Sequence, residues 1–99
     1  MYRIVWQFDA EPARVAEFER EYGAEGVWVR FFRDAEGYLG TELFRSNHEP
    51  MRYLTVDRWT SRAAYDAFRA ARRQEYAALD TQCAALTRAE QLVAQAEEP

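Results

Sequence analysis

A chain of 99 residues with 48% hydrophobic content suffices for one compact domain that buries about 60 to 70% of its unfolded surface, which excludes a second domain. The net charge of −4 and a pI near 5.0 supply no clustered positive charge, so nucleic acid and anionic membrane are excluded as partners. One cysteine, Cys83, excludes an internal disulfide and a multi-thiolate metal centre within the chain and fits a reducing compartment.

The first stretch, "YRIVWQFD", alternates Tyr2, Ile4, Trp6 and Phe8 with Arg3, Val5, Gln7 and Asp9. That period of two predicts a strand with one buried face. The same amino terminus, "MYRIVWQFDAEPARV", has no basic-then-apolar signal order, and no apolar run approaches the ~20 residues needed to span a bilayer. A cytoplasmic location is the expectation. "AEPARVAEFEREYG" then predicts a helix: Pro12 stands where a helix begins, Val15, Phe18 and Tyr22 step by three and four, and Gly23 ends it.

"AEGVWVRFFRDAEG" fits a short helix with Val27, Trp28, Phe31 and Phe32 on one face, although "VWVRFF" alone also reads as a strand. "GYLGTELFRS" and "MRYLTVDRW" predict two strands joined by the turn-rich "SNHEP", an antiparallel hairpin. Thr60 or Ser61 caps the next helix, which carries the stripe Tyr65, Phe68, Arg72, Tyr76 and Leu79 and reads as the longest in the chain. The tail "DTQCAALTRAEQLVAQAEEP" has two readings, a final strand in "EQLVAQ" or a continued Ala-rich helix, and local propensity leans to the helix.

This order predicts an α+β fold, a ferredoxin-like split βαββαβ protomer with helices on one face of an antiparallel sheet. Residues 1–96 form its core and the last few a tail. The other sheet face carries Val5, Leu39, Leu43, Leu54 and Val56 by parity, and a second apolar face predicts a homodimer. With 15% aromatic residues in so small a domain, rings fill the core and line a cavity, an interface, or both.

The segments "EGVWVRFFRDAEGYLGTELFR", "YLTVDRWTSRAAYDAF" and "RRQEYAALDTQC" resemble the antibiotic biosynthesis monooxygenase family of dimeric α/β barrels. The resemblance covers most of the chain. It implies a ferredoxin-like protomer whose sheet packs on a second copy, with a pocket between helices and sheet. Some members oxygenate polycyclic phenols without metal or flavin; others bind and degrade haem. The expected function is therefore cofactor-independent oxygenation of a flat phenolic or polyketide-type aromatic. The alternatives are a non-catalytic dimeric module that binds a small molecule, and a haem-binding or haem-degrading protein.

Trp59 matches the strand-end tryptophan of both active groups, where an indole suits stacking on a flat ligand; a core role with its N–H bonded to a carbonyl is the other reading. Arg72 interrupts an apolar stripe, so either it faces inward to a phenolate or quinone oxygen or it snorkels at the stripe's edge. Arg69 and Arg73 beside it read as solvated. Gln7 lies near an asparagine of the haem-degrading members and could orient a ligand oxygen. Trp28, Phe32, Tyr53, Tyr65, Phe68 and Tyr76 are the expected substrate-binding side chains, with Tyr38 a further donor. Asp57 has the parity of Trp59 and is expected to pair with Arg58 or Arg72 rather than act as a base. The haem reading asks for a histidine on the long helix, but the lone His48 sits in the "SNHEP" turn. No glycine-rich phosphate loop follows a strand, so no cofactor and no metal are expected.

Overall fold

Alternation in the first strand decides which side of the sheet becomes the core. The computed structural model describes all residues, Met1–Pro99. Strand β1 (Tyr2–Ala10) lies inside a four-stranded antiparallel sheet, with β3 (Arg52–Trp59) on one side and β4 (Thr87–Glu97) on the other; β2 (Tyr38–Arg45) forms the outer edge beside β3. Tyr2, Ile4, Phe8 and Ala10 are all buried, as the period of two requires. Helices α1 (Val15–Tyr22), α2 (Val27–Phe32), α3 (Arg62–Ala71) and α4 (Arg73–Cys83) cover that face. The strand-and-helix order is the expected ferredoxin-like α+β arrangement.

Two aromatic clusters fill the space under the helices. One joins Phe8, Phe18, Tyr22, Tyr53, Leu79, Cys83 and Leu86; the other joins Tyr2, Ile4, Phe32, Trp59 and Tyr65. Phe18 is 0% exposed and stacks on Tyr22 with ring centroids 4.4 Å apart. Trp6, Trp28 and Phe31 pack against both clusters. The short second segment is a helix rather than a strand, and Gly26 explains its tight approach: a Cβ there would lie 2.1 Å from the Glu21 carbonyl oxygen. Ser61 caps α3 by accepting the Ala64 N–H at 3.1 Å.

Two local expectations are corrected, and the two readings of the tail are resolved. The long helix is two helices, because Arg72 leaves helical dihedrals at φ −119° and ψ 31°. The Arg72 N–H still reaches the Phe68 carbonyl, and the Tyr76 N–H reaches that of Arg72, each at 2.9 Å, so Arg72 stays bonded to both helices.

The tail is a strand against its helical propensity. Its side chains are almost all exposed, so the β1 backbone ladder, interrupted by a bulge between the Val5 and Trp6 pairs, holds it. Finally, Leu43 lies opposite the buried Thr55 and so faces the helices; Phe44, opposite Leu54, takes its place on the open face.

Phe18→Ala should lower unfolding free energy by about 3 to 5 kcal/mol in urea titration, the usual cost of removing a fully buried phenylalanine. A loss below ~1 kcal/mol would mean that the first cluster repacks freely around the gap.

Candidate functional site

The two clusters do not meet completely, and the gap between them is a cavity of about 120 Å³. Trp6, Phe8 and Tyr22 wall it from the first cluster's side, and Trp28, Phe32 and Tyr76 from the other. Its floor is the sheet, where Thr41, Thr55 and Asp57 point up between the rings. Arg69, Asp80 and Glu90 also line it and are exposed, so they mark the mouth. A shallower groove of about 430 Å³ continues outward and shares Arg69, Tyr76 and Asp80 with the cavity.

Register places the acid. Asp57 on β3 lies opposite Ile4 of β1 and Thr41 of β2, on the row between the Thr55 and Trp59 rows. Its Oδ1 accepts the Thr41 hydroxyl at 2.7 Å, and Thr41 Oγ1 is in turn 2.7 Å from the Tyr38 hydroxyl. With Thr41 donating to the carboxylate, Tyr38 is left to donate to Thr41. No arginine forms an ion pair with Asp57: Arg72 pairs with Glu75, and Arg58 reaches only the Leu39 carbonyl. The expected pairing of Asp57 with Arg58 or Arg72 is therefore corrected. Burial pushes the carboxyl up to about 6, against the opposing effect of the Thr41 hydrogen bond.

Among the expected substrate-binding side chains, Trp28, Phe32 and Tyr76 are brought together at the cavity. Tyr53 is buried in the first cluster and hydrogen-bonds Glu19 instead. Tyr65 and Phe68 pack edge-on or tilted against Trp59 on the far side of Phe32. Trp59 itself is 0% exposed and does not line the cavity. Its ring meets Phe32 at 5.7 Å and Tyr38 at 5.3 Å, and its Nε1 has no hydrogen-bond partner, so it backs the wall rather than forming it.

The remaining two expected residues lie elsewhere. Arg72 sits on the helix exterior, its guanidinium over the Phe31 ring at 5.1 Å and paired with Glu75. Gln7 lies opposite Leu54 and Gln91 on the open sheet face, across the sheet from the cavity. The arginine at the cavity is Arg69, whose guanidinium stands 4.4 Å from the Tyr76 ring centroid and donates to the Tyr65 hydroxyl at 3.2 Å. Spacing did carry this signal, since Arg69 follows Tyr65 by four residues, and the expectation that Arg69 is only solvated is corrected: it is exposed yet lines the cavity mouth.

No three His, Cys, Asp or Glu side chains converge to hold a metal ion. For haem, no His, Cys or Met lines the cavity as an axial ligand, and Tyr22 and Tyr76 are the only lining side chains of a type that ligates haem iron.

Sheet, helices and an acid-bearing aromatic chamber between them define a ferredoxin-like α+β protein with a built internal site. The chain belongs to the antibiotic biosynthesis monooxygenase family, whose model matches residues 1–79. No curated protein matches the sequence. Among solved structures, a mutant of SnoaB, a cofactor-independent oxygenase from Streptomyces nogalater, is 24% identical over 99% of this chain and 94% of its own, with a TM-score of 0.69. An antibiotic biosynthesis monooxygenase-type protein from Bordetella bronchiseptica is also 24% identical, over 99% and 96%, with a TM-score of 0.68. A mutant of MhuD carrying two manganese protoporphyrin IX molecules per active site is 18% identical over 99% and 94%, with a TM-score of 0.71.

Asp57 has a pH signature. Its folded pKa lies above the unfolded value near 3.9, so both states are protonated below pH 4 and the burial penalty is absent. As pH rises through 6 the unfolded state gains from ionisation more than the folded state does, and stability falls. Asp57→Asn should therefore gain on the order of 1 to 3 kcal/mol over wild type between pH 4 and pH 8, read by urea unfolding at both values. A difference independent of pH would show that the carboxyl is fully solvated.

Proposed function

We propose that the protein is a cofactor-independent monooxygenase-like enzyme acting on a flat phenolic aromatic, with Asp57 as its base. The observation that supports this most is a carboxylate with no cation partner, aimed into an aromatic cavity large enough for one ring. A group with pKa near the working pH is the efficient choice for moving a proton in both directions. The phenolic ring sits between the side chains of Trp6, Trp28 and Tyr76, and any larger body extends over the outer groove.

The chemistry balances without a further reagent besides dioxygen. The phenol O–H bond breaks and its proton passes to Asp57. The electron-rich phenolate adds a ring carbon to O2, forming a C–O bond. Loss of the ring hydrogen as a proton and cleavage of the O–O bond leave a second carbonyl and release water. One oxygen atom enters the quinone, the other leaves as water, and the four electrons taken from the ring are those that O2 accepts. Thr41 holds Asp57 in place throughout.

A second reading, binding without turnover, draws on one observation. Arg69 is already engaged by Tyr65 and Tyr76, so no free cation faces the floor to stabilise a developing oxyanion. Oxygen uptake separates the two. With anthrone-type phenols the protein should consume O2 above the buffer rate, and Asp57→Asn should reduce kcat/KM by about 10²-fold or more. Uptake equal to buffer for wild type would leave the binding reading.

The protein is further proposed to work as a homodimer through its open sheet face. Val5, Leu54 and Val56 form the centre of that face, with Phe44 on its β2 edge; such an unpaired apolar sheet surface is the kind that associates. Sedimentation should give twice the 11.6 kDa chain mass, and Val56→Glu should shift it to the monomer. A wild-type chain that sediments as a monomer at micromolar concentration would contradict this.

A further inference from the structure

The electrostatics of the cavity narrow its ligand beyond "a flat aromatic". Asp57 lies at the floor and Asp80 and Glu90 at the mouth, against the single guanidinium of Arg69. That guanidinium is committed to the Tyr76 face and the Tyr65 hydroxyl. Burial raises the pKa of Asp80 and of Glu90; Arg69 partly offsets the rise at Asp80, while Asp80 raises Glu90 further, so negative charge at the mouth is incompletely balanced. A cation between them offsets that charge, and an anion adds to it.

Size acts independently of charge. About 120 Å³ between Trp6, Phe8, Trp28 and Phe32 takes one ring. A para substituent on that ring, opposite an O–H directed at Asp57, leads back toward Asp80 and Glu90. We infer that the cavity selects a single-ring phenol carrying a cationic amine side chain, with the phenol donating to Asp57 and the ammonium lying between Asp80 and Glu90. This rests on the reading of Asp57 as the group that receives the phenol, and it adds charge and size selection that oxygenation alone does not require.

The test compares two ligands of the same shape and opposite tail charge, tyramine and para-hydroxyphenylpropionate, by calorimetric titration at pH 7.5 and low salt. The titrations run under argon, so that binding is read apart from turnover. Tyramine should bind at least about tenfold more tightly than the carboxylate, and the ratio should fall toward one in the Asp80→Asn, Glu90→Gln double variant. Equal affinities, or tighter binding of the carboxylate, would overturn the inference in wild-type protein, whatever the variant does. The oxygen-uptake result stands apart: tyramine preferred by a protein that oxidises neither tyramine nor any anthrone-type phenol retains this selectivity and removes the oxygenase reading, while an anthrone consumed by a protein that ignores tyramine does the reverse.

Discussion

Keeping a carboxyl group inside an aromatic chamber without a cation is the constraint around which this molecule is organised. An isolated buried carboxylate is costly, and proteins usually answer that cost with an arginine or lysine. Here the answer is a threonine. Thr41 reaches Asp57 across the β2–β3 ladder, and Tyr38 reaches Thr41 from the end of the same strand. A hydroxyl relay compensates less than an ion pair, so the acid keeps a raised affinity for its proton. Such a raised carboxyl without a cation partner is the kind of perturbed group that clusters at functional sites.

The aromatic residues then serve two purposes that composition alone cannot separate. Phe32 packs edge-on against Trp59 in the core and also forms one wall of the cavity. Trp28 touches both clusters and meets Tyr76 at 5.3 Å. Trp59 sits one layer behind, and its contribution is to fix Phe32 and Tyr38. Through Tyr38 it is mechanically linked to the hydroxyls that steady Asp57. The strand-end tryptophan therefore packs behind the cavity wall rather than in it.

Much of this was legible before any coordinates. Strict alternation in β1 assigned its buried face, Pro12 and Gly23 bracketed the first helix, and the capping serine marked α3. Where the reading departs, tertiary structure overrides a local signal. The Ala-rich tail prefers a helix by propensity, yet β1 offers it a ladder of backbone partners along its full length. Arg72 breaks the apolar stripe and leaves helical dihedrals, and it pairs with Glu75 on the exterior while Arg69 lines the cavity. Parity correctly placed Asp57 on the buried side. Its lack of a cation was not legible, because that depends on side chains from other elements, and the arginine nearest in sequence, Arg58, points to the opposite face.

The most direct test is the ionisation of Asp57 itself, followed by carbon-13 NMR of the side-chain carboxyls across pH 3 to 9 and assigned through Asp57→Asn. A carboxyl titrating near 6 is what a partly buried acid beside a hydroxyl and without a cation should show. A midpoint at or below about 4, the ordinary aspartate value, would mean that water or a cation reaches it. The site would then be a wet cleft rather than a chamber built to hold a proton.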